Sequence, residues 1–241
     1  MAFVTEITQI ILYTLFAGAC IPLGGLLGYS EKIRPQWLEN ELRHAVIAFG
    51  GGILVAAVAL VLVPEGKRYV NQDFWSVGLF LLGGIFFFLM ERYLGTKRRE
   101  KPQLTAMLLD YLPESLALGG AFAIGAASAP LLALFIGLQN LPEGFNAYRE
   151  LVAEPGTSKK RILGFMAILA LIGPIIAVIG WYYLSNNTLL LGAVMLFASG
   201  GILYLIFQDI APQARMNHHW APPMGAILGF CFGMLGQAFW H

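Results

Sequence analysis

The chain has 241 residues, of which 58% are hydrophobic and only 12% charged, with a net charge of +1 and a mean hydropathy of +0.69. A soluble domain carries about a quarter charged residues, so the composition points to a membrane protein. No basic stripe of the kind a nucleic-acid partner requires runs through it.

A hydrocarbon core ~30 Å thick is crossed by about 20 apolar residues in a helix. Eight segments meet that length, at residues 7–27, 44–64, 74–90, 104–127, 130–148, 162–184, 188–210 and 223–240, and together they make one transmembrane domain over residues 1–241. Residues 1–8 contain Glu6 and no Lys or Arg, so the first segment is expected to be retained rather than cleaved as a signal. The fourth and fifth segments have the weakest signal, because polar residues lower their hydropathy, and only Ser128-Ala129-Pro130 joins them. Asn186-Asn187 makes a second tight connection. The two cysteines, Cys20 and Cys231, lie in apolar stretches and read as small buried hydrophobes rather than as a disulfide or ligand pair. Glycines cluster at Gly24-Gly25, Gly50-Gly51-Gly52, Gly119-Gly120 and Gly200-Gly201, and Gly225, Gly229 and Gly233 recur every fourth residue, lining one face of the last span for close helix packing.

Eight spans put both termini on one side, with Lys67 and Arg68 beside them and the other thirteen of the fifteen Lys and Arg residues opposite. The positive-inside rule then sets both termini outside the cytoplasm. His44, His218, His219 and His241 all fall at span ends or in connectors, and the adjacent pair His218-His219 reads as interfacial and solvated.

Spans four and five carry nearly the same phrase: Asp110-Tyr111-Leu112-Pro113-Glu114-Ser115 and Gln139-Asn140-Leu141-Pro142-Glu143-Gly144. A charge at mid-membrane costs ~2.5–3.5 kcal/mol on insertion scales, so these carboxylates must face one another, water or a cation. Asp110 and Glu114 are four residues apart, as are Gln139 and Glu143, so each pair shares a helix face, and Asn140 borders the second. Pro113 and Pro142 each remove an amide donor and free a carbonyl one turn earlier, on Leu109 and Leu138. Two antiparallel helices of this kind gather three carboxylates, two amides and spare carbonyls. Either a divalent cation neutralises the acids or some hold protons, and competition between those states couples metal affinity to pH. The competing structural reading is a protonated hydrogen-bond network that glues the helices, with Tyr111 packing against or capping it.

The eight spans, the outside termini and the paired phrases resemble the ZIP (Zrt-, Irt-like protein) divalent-metal transporters over essentially the whole chain. Span two ends in Val63-Pro64-Glu65-Gly66 and span seven in Gln208-Asp209-Ile210-Ala211-Pro212, similar to family helices that end in acidic residues and proline. The resemblance implies metal binding by Glu114 and Glu143, with Gln139 and Asn140 as the polar residues of the span-five motif; Asp110, one turn before Glu114, is expected from its position to be a third, more replaceable ligand. It further implies a pathway role for Asp209 with Gln208 beside it, and Glu65 is expected to act peripherally with them. Spans two, four, five and seven, which carry the acids or proline breaks, are expected to form an inner bundle.

The departures sharpen the expectation. The family has His-Asn where this chain has Asp110-Tyr111, often His at Gln139, and a Glu before the span-six proline, where Gly173 precedes Pro174. A single site is expected, and its oxygen ligands favour harder cations such as Mn²⁺ relative to an imidazole site. The connector Gly95-Thr96-Lys97-Arg98-Arg99-Glu100-Lys101-Pro102 holds no histidine for metal capture.

The expected function is transport of a divalent cation (zinc, manganese, iron or cadmium) as substrate toward the cytoplasm, with no organic cofactor, no Walker-type phosphate loop and no enzymatic activity. The expected location is a plasma or bacterial inner membrane. The expected partners are the metal ion, the lipid bilayer and, as an option, a second copy in a homodimer, with no nucleic acid. Two alternatives stand beside it: a degenerate ZIP-like metal binder with little transport, and an intramembrane metal-dependent hydrolase, disfavoured because no histidine lies mid-span.

Overall fold

The computed structural model describes residues 2–30, 36–95, 102–153, 156–216 and 220–240, and every regular element among them is helical. In chain order these are α1 (Ala2–Ser30), α2 (Gln36–Ala57), a π-helical turn (Val58–Leu62), α3 (Val63–Val70), α4 (Asp73–Gly95), α5 (Pro102–Ala123) and α6 (Ala129–Val152). After them come α7 (Lys159–Ala170), α8 (Ile172–Leu184), α9 (Thr188–Leu205), a second π turn (Ile206–Ile210), α10 (Ala211–Ala214) and α11 (Ala221–Trp240). The expected features at Lys32, Arg34, the basic 96–101 connector, His218-His219 and His241 lie outside the described residues.

Local chemistry sets the ends. Asn71 closes α3 in the left-handed region at φ 52°, and Lys67 pairs with Asp73 across the turn at 2.8 Å. The Asn187 side chain caps α9 by accepting from the Leu190 amide at 2.9 Å. Pro130 stands in the first turn of α6, where no amide donor is needed.

Prolines also account for three departures from continuous spans. Residues 162–184 form two helices rather than one, with the break at Leu171 just ahead of Pro174, which has no amide to give the Ala170 carbonyl. Both π turns stand directly before an X-Pro step, Val63-Pro64 and Ala211-Pro212. At each, the last amide before the proline reaches back five residues, Val63 to Val58 and Ala211 to Ile206.

Among the described residues, six helical runs are long and apolar enough to cross a membrane: Thr5–Ser30, Glu41–Val70, Asp73–Tyr93, Lys159–Leu184, Thr188–Ala214 and Ala221–Phe239. The expected fourth and fifth spans, α5 and α6, are not among them; their polar side chains lower the hydropathy and are folded inward, as Asp110, Glu114, Gln139 and Asn140 are all buried. The outer surfaces of α1, α4, α8 and α11 expose large apolar side chains such as Phe16, Phe86, Ile175 and Leu228. Cys231 lies on such a surface and is exposed, and Cys20 is only half-buried, so neither is the fully buried hydrophobe expected from its apolar neighbours; both thiols are free.

Among the described residues, several helix pairs are matched by glycines on both partners. Between α1 and α6, a side chain on Gly24 would strike the Leu141 carbonyl and one on Gly144 the Ile21 carbonyl. The same reciprocity joins α2 to α11 (Gly52 against Ala226, Gly229 against Phe49), α4 to α9 (Gly83 against Phe197, Gly200 against Phe80) and α5 to α8 (Gly119 against Ala177, Gly180 against Leu116). The expected stripe Gly225, Gly229 and Gly233 lies along α2 at Ala45, Phe49 and Ala56. Across the pairs, α2 packs on α6, α6 on α5, α5 on α9, and α9 on α3, which continues α2.

Replacing Gly229 by alanine is expected to push α11 off α2 and to destabilise the protein by about 1–3 kcal/mol. Gly78→Ala, where an added Cβ meets nothing within 4 Å, should be neutral or stabilising. Thermal unfolding in detergent compares the two, and equal effects would refute the backbone-contact reading of Gly229.

Candidate functional site

The pair α5 and α6 brings the two related phrases face to face. The Gln139 side-chain amide donates to Glu114 Oε2 at 2.6 Å, and the Asn140 amide donates to the Ala17 carbonyl of α1 at 2.9 Å. Each amide group is thereby turned so that its own oxygen points elsewhere.

The remaining oxygens are the notable feature. Asp110 Oδ1, Glu114 Oε1, Gln139 Oε1, Asn140 Oδ1 and both Glu143 oxygens are enclosed, and none has a hydrogen-bond donor. Asp110, Glu114 and Glu143 lie within electrostatic reach of one another. A buried acceptor left unpaired costs ~1–3 kcal/mol, and these cannot pair among themselves, since ionised carboxylates and amide oxygens only accept. Such a cluster attracts protons or a cation. Among the described residues no three His, Cys, Asp or Glu side chains converge closely enough to hold a metal ion by themselves. Any cation here would therefore draw on amide oxygens, and on the Leu109 and Leu138 carbonyls that Pro113 and Pro142 leave without a helical donor.

Tyr111 works on the structure beside this cluster. Its hydroxyl donates to the Ala170 carbonyl at 3.2 Å, the group that Pro174 leaves unpaired. A side chain on Gly173 would fall on that hydroxyl, as would one on Gly18 of α1. Tyr111 and Gly173 are thus a matched pair: the phenol occupies the space that an acid at Gly173 would need.

The three peripheral residues stand apart from the cluster. Glu65 on α3 has one enclosed, unpaired carboxylate oxygen and lines a cavity of about 700 Å³ with Arg68, Tyr69, Ser128 and Gln237. There the Gln237 amide reaches the Leu60 carbonyl at 3.4 Å, which Pro64 cannot serve. Gln208 is exposed and Asp209 half-buried, both on the second π turn. The charged neighbour of Asp209 is Glu91, which accepts from the Tyr204 hydroxyl at 2.5 Å.

One residue escaped the sequence reading. Asn146 follows Gln139 and Glu143 at the helical spacing of four and then three, is 2% exposed, and has an unpaired side-chain oxygen. The repeated phrase ends at Gly144, two residues before it, so the repeat carries no signal for Asn146.

No family model and no curated protein matches the chain.

Tyr111→Phe should leave the Ala170 carbonyl without its partner and cost about 1–3 kcal/mol. Gly173→Ala should destabilise by itself and far less when combined with Tyr111→Leu, a coupling of about 0.5–3 kcal/mol. Unfolding of the single and double variants measures it, and strict additivity would show that the two residues do not share one space.

Proposed function

We propose that the protein is a divalent-metal transporter of the ZIP type, with no enzymatic activity and no organic cofactor, that carries the metal ion as substrate toward the cytoplasm. The observation that carries this reading is the group of buried, donorless oxygens on Asp110, Glu114, Gln139, Asn140 and Glu143. Helix glue would match acceptors with donors. A cation in transit needs acceptors that are left open.

In this reading α5 and α6 are the fourth and fifth of eight spans, and the rods α2–α3, α5, α6 and α9–α10 form the inner bundle. The buried share of the apolar runs supports it: 67% for Glu41–Val70 and 61% for Thr188–Ala214, against 17% for Asp73–Tyr93 and 22% for Ala221–Phe239. The outer runs face lipid, and both termini lie outside the cytoplasm in a plasma or bacterial inner membrane.

Two cavities suit alternating access. The one of about 700 Å³ beside Glu65 opens toward the α3 end of its rod, and another of about 570 Å³ lies toward the α2 end, between α2, the second π turn and α11. Glu143 and Glu114 are the central ligands and Asp110 the more replaceable third. Glu65, Gln208 and Asp209 serve loading and release.

Uptake into liposomes by the purified chain, assayed in parallel with Zn²⁺, Mn²⁺, Fe²⁺, Cd²⁺ and Co²⁺, tests the reading. Binding without uptake would favour a metal-binding relative that does not transport, and detectable hydrolysis of a substrate would favour an enzyme. Glu143→Ala and Glu114→Ala should each abolish saturable binding in calorimetry, while Asp209→Ala should slow uptake with binding kept. Unchanged affinity in Glu143→Ala would sink the site assignment. With no imidazole or thiolate in the cluster, Mn²⁺ and Fe²⁺ should bind comparably to Zn²⁺. Asp110→His should shift the preference toward Zn²⁺, and zinc-exclusive binding by the unaltered protein would overturn the oxygen-ligand reasoning.

A further inference from the structure

The cavity of about 570 Å³ has a floor of small, buried α2 residues, Ala48, Gly51 and Gly52. The second π turn walls it with Phe207 and Ile210, and α11 with Ile227. Phe207 is 69% exposed and Ile227 54%, so the cavity opens sideways onto the outer apolar surface. From Ala48 to Val55 it runs about 10 Å along α2 at the helical rise.

Among the described residues, its lining holds no carboxylate, amide or imidazole, and a single charge, on Arg215. Arg215 is exposed, and no carboxylate among those residues pairs with its guanidinium. Ala214, its neighbour in the chain, packs on Ile47 and Ala48, which places the charge at the end of the cavity away from Val55. Arg43 stands one helical turn before Ile47, and its Nε–H is enclosed with no acceptor. A metal ion finds no carboxylate or imidazole ligand here, and water finds few partners. The volume is that of a small-molecule site, ~300–1,000 Å³. A fitting ligand is apolar along about 10 Å, anionic at one end, and free to extend sideways into the bilayer.

We propose that this cavity binds an anionic phospholipid, with one acyl chain along the α2 floor and the phosphate held by Arg215. A guanidinium meets a phosphate through two parallel hydrogen bonds. The choline of a zwitterionic lipid would instead bring a third cation to an end that already holds Arg215 and Arg43. In the eight-span arrangement both arginines stand on the cytoplasmic side, where the leaflet is anionic. Site and ligand rest on that membrane arrangement and not on which ion is carried. The bound chain fills the space between α2 and the second π turn, and so steadies the turn that carries Gln208 and Asp209.

The test uses native mass spectrometry and thermal unfolding of the full chain in detergent, with phosphatidylglycerol, phosphatidylcholine or oleate added and no metal present. Phosphatidylglycerol should bind about tenfold more tightly than phosphatidylcholine, and at ~100 times its Kd should raise Tm by about 5 °C. Arg215→Gln should bring the two phospholipids level, while Arg161→Gln, at an exposed arginine of α7, should change neither. Ala211→Trp, at the rim of the cavity, should weaken both by taking the place of the chain. Equal binding of the two phospholipids by wild type would overturn the proposal, as would tighter binding of oleate. Phosphatidylglycerol binding unaltered by Arg215→Gln or by Ala211→Trp would overturn it too. If Ala211→Trp fails to fold, Arg215→Gln, at an exposed residue, decides. Selective lipid binding by a chain that carries no metal into liposomes defeats the transport reading alone; metal uptake without selective lipid binding defeats only the lipid site.

Discussion

Backbone approaching backbone is the constraint on which the rest of this molecule depends. Apolar side chains gain little from leaving lipid for protein, so helices in a membrane associate through close fit. Here a glycine on each partner admits a carbonyl of the other in α1–α6, α2–α11, α4–α9 and α5–α8. Each contact is reciprocal, which fixes both the separation of the two axes and their register along the helix. The α1–α6 contacts flank the Pro142-Glu143 step directly, since Gly24 meets Leu141 and Gly144 meets Ile21. The carboxylate at the centre is therefore placed by the tightest packing in its neighbourhood.

That rigidity explains how an uncomplemented group of acceptors is tolerated. One amide hydrogen of Gln139 goes to Glu114 and one of Asn140 to the Ala17 carbonyl, and these bonds orient the oxygens at the other ends of the two groups. Prolines act in the same direction. Two of the carbonyls they release are met from outside the helix, Ala170 by the Tyr111 hydroxyl and Leu60 by the Gln237 amide.

Much of this was legible from spacing. The separations of Asp110 from Glu114 and of Gln139 from Glu143 depend only on helical periodicity, and the Gly225, Gly229 and Gly233 stripe marks a packing face for the same reason, though its partner α2 is set by the fold. Tertiary effects were hidden. Nothing in the residues 162–184 distinguishes a break at Leu171 from a kink further along, because Pro174 only constrains the turn before it. Asn146 lies outside the repeated phrase, and its burial follows from tertiary packing. Hydropathy sets α5 and α6 apart from the six long apolar runs, because the polar residues buried between them are the ones that lower it. Cys231 was misplaced because an apolar neighbourhood in sequence does not separate a protein interior from a lipid-facing surface.

The two π turns carry a consequence for how the longest rods are oriented. A π turn inserts one residue into the helical winding, and at 3.6 residues per turn that amounts to about 100° of rotation. Everything beyond Leu62 and beyond Ile210 is therefore out of phase with the stretch before it. The side of α2 that meets α6 and α11 does not continue as the corresponding side of α3, and Glu65 points where an unbroken helix would have put a neighbour. One continuous rod thus presents two different faces to its surroundings at its two ends, and the proline after each turn keeps that offset from winding back into a regular helix.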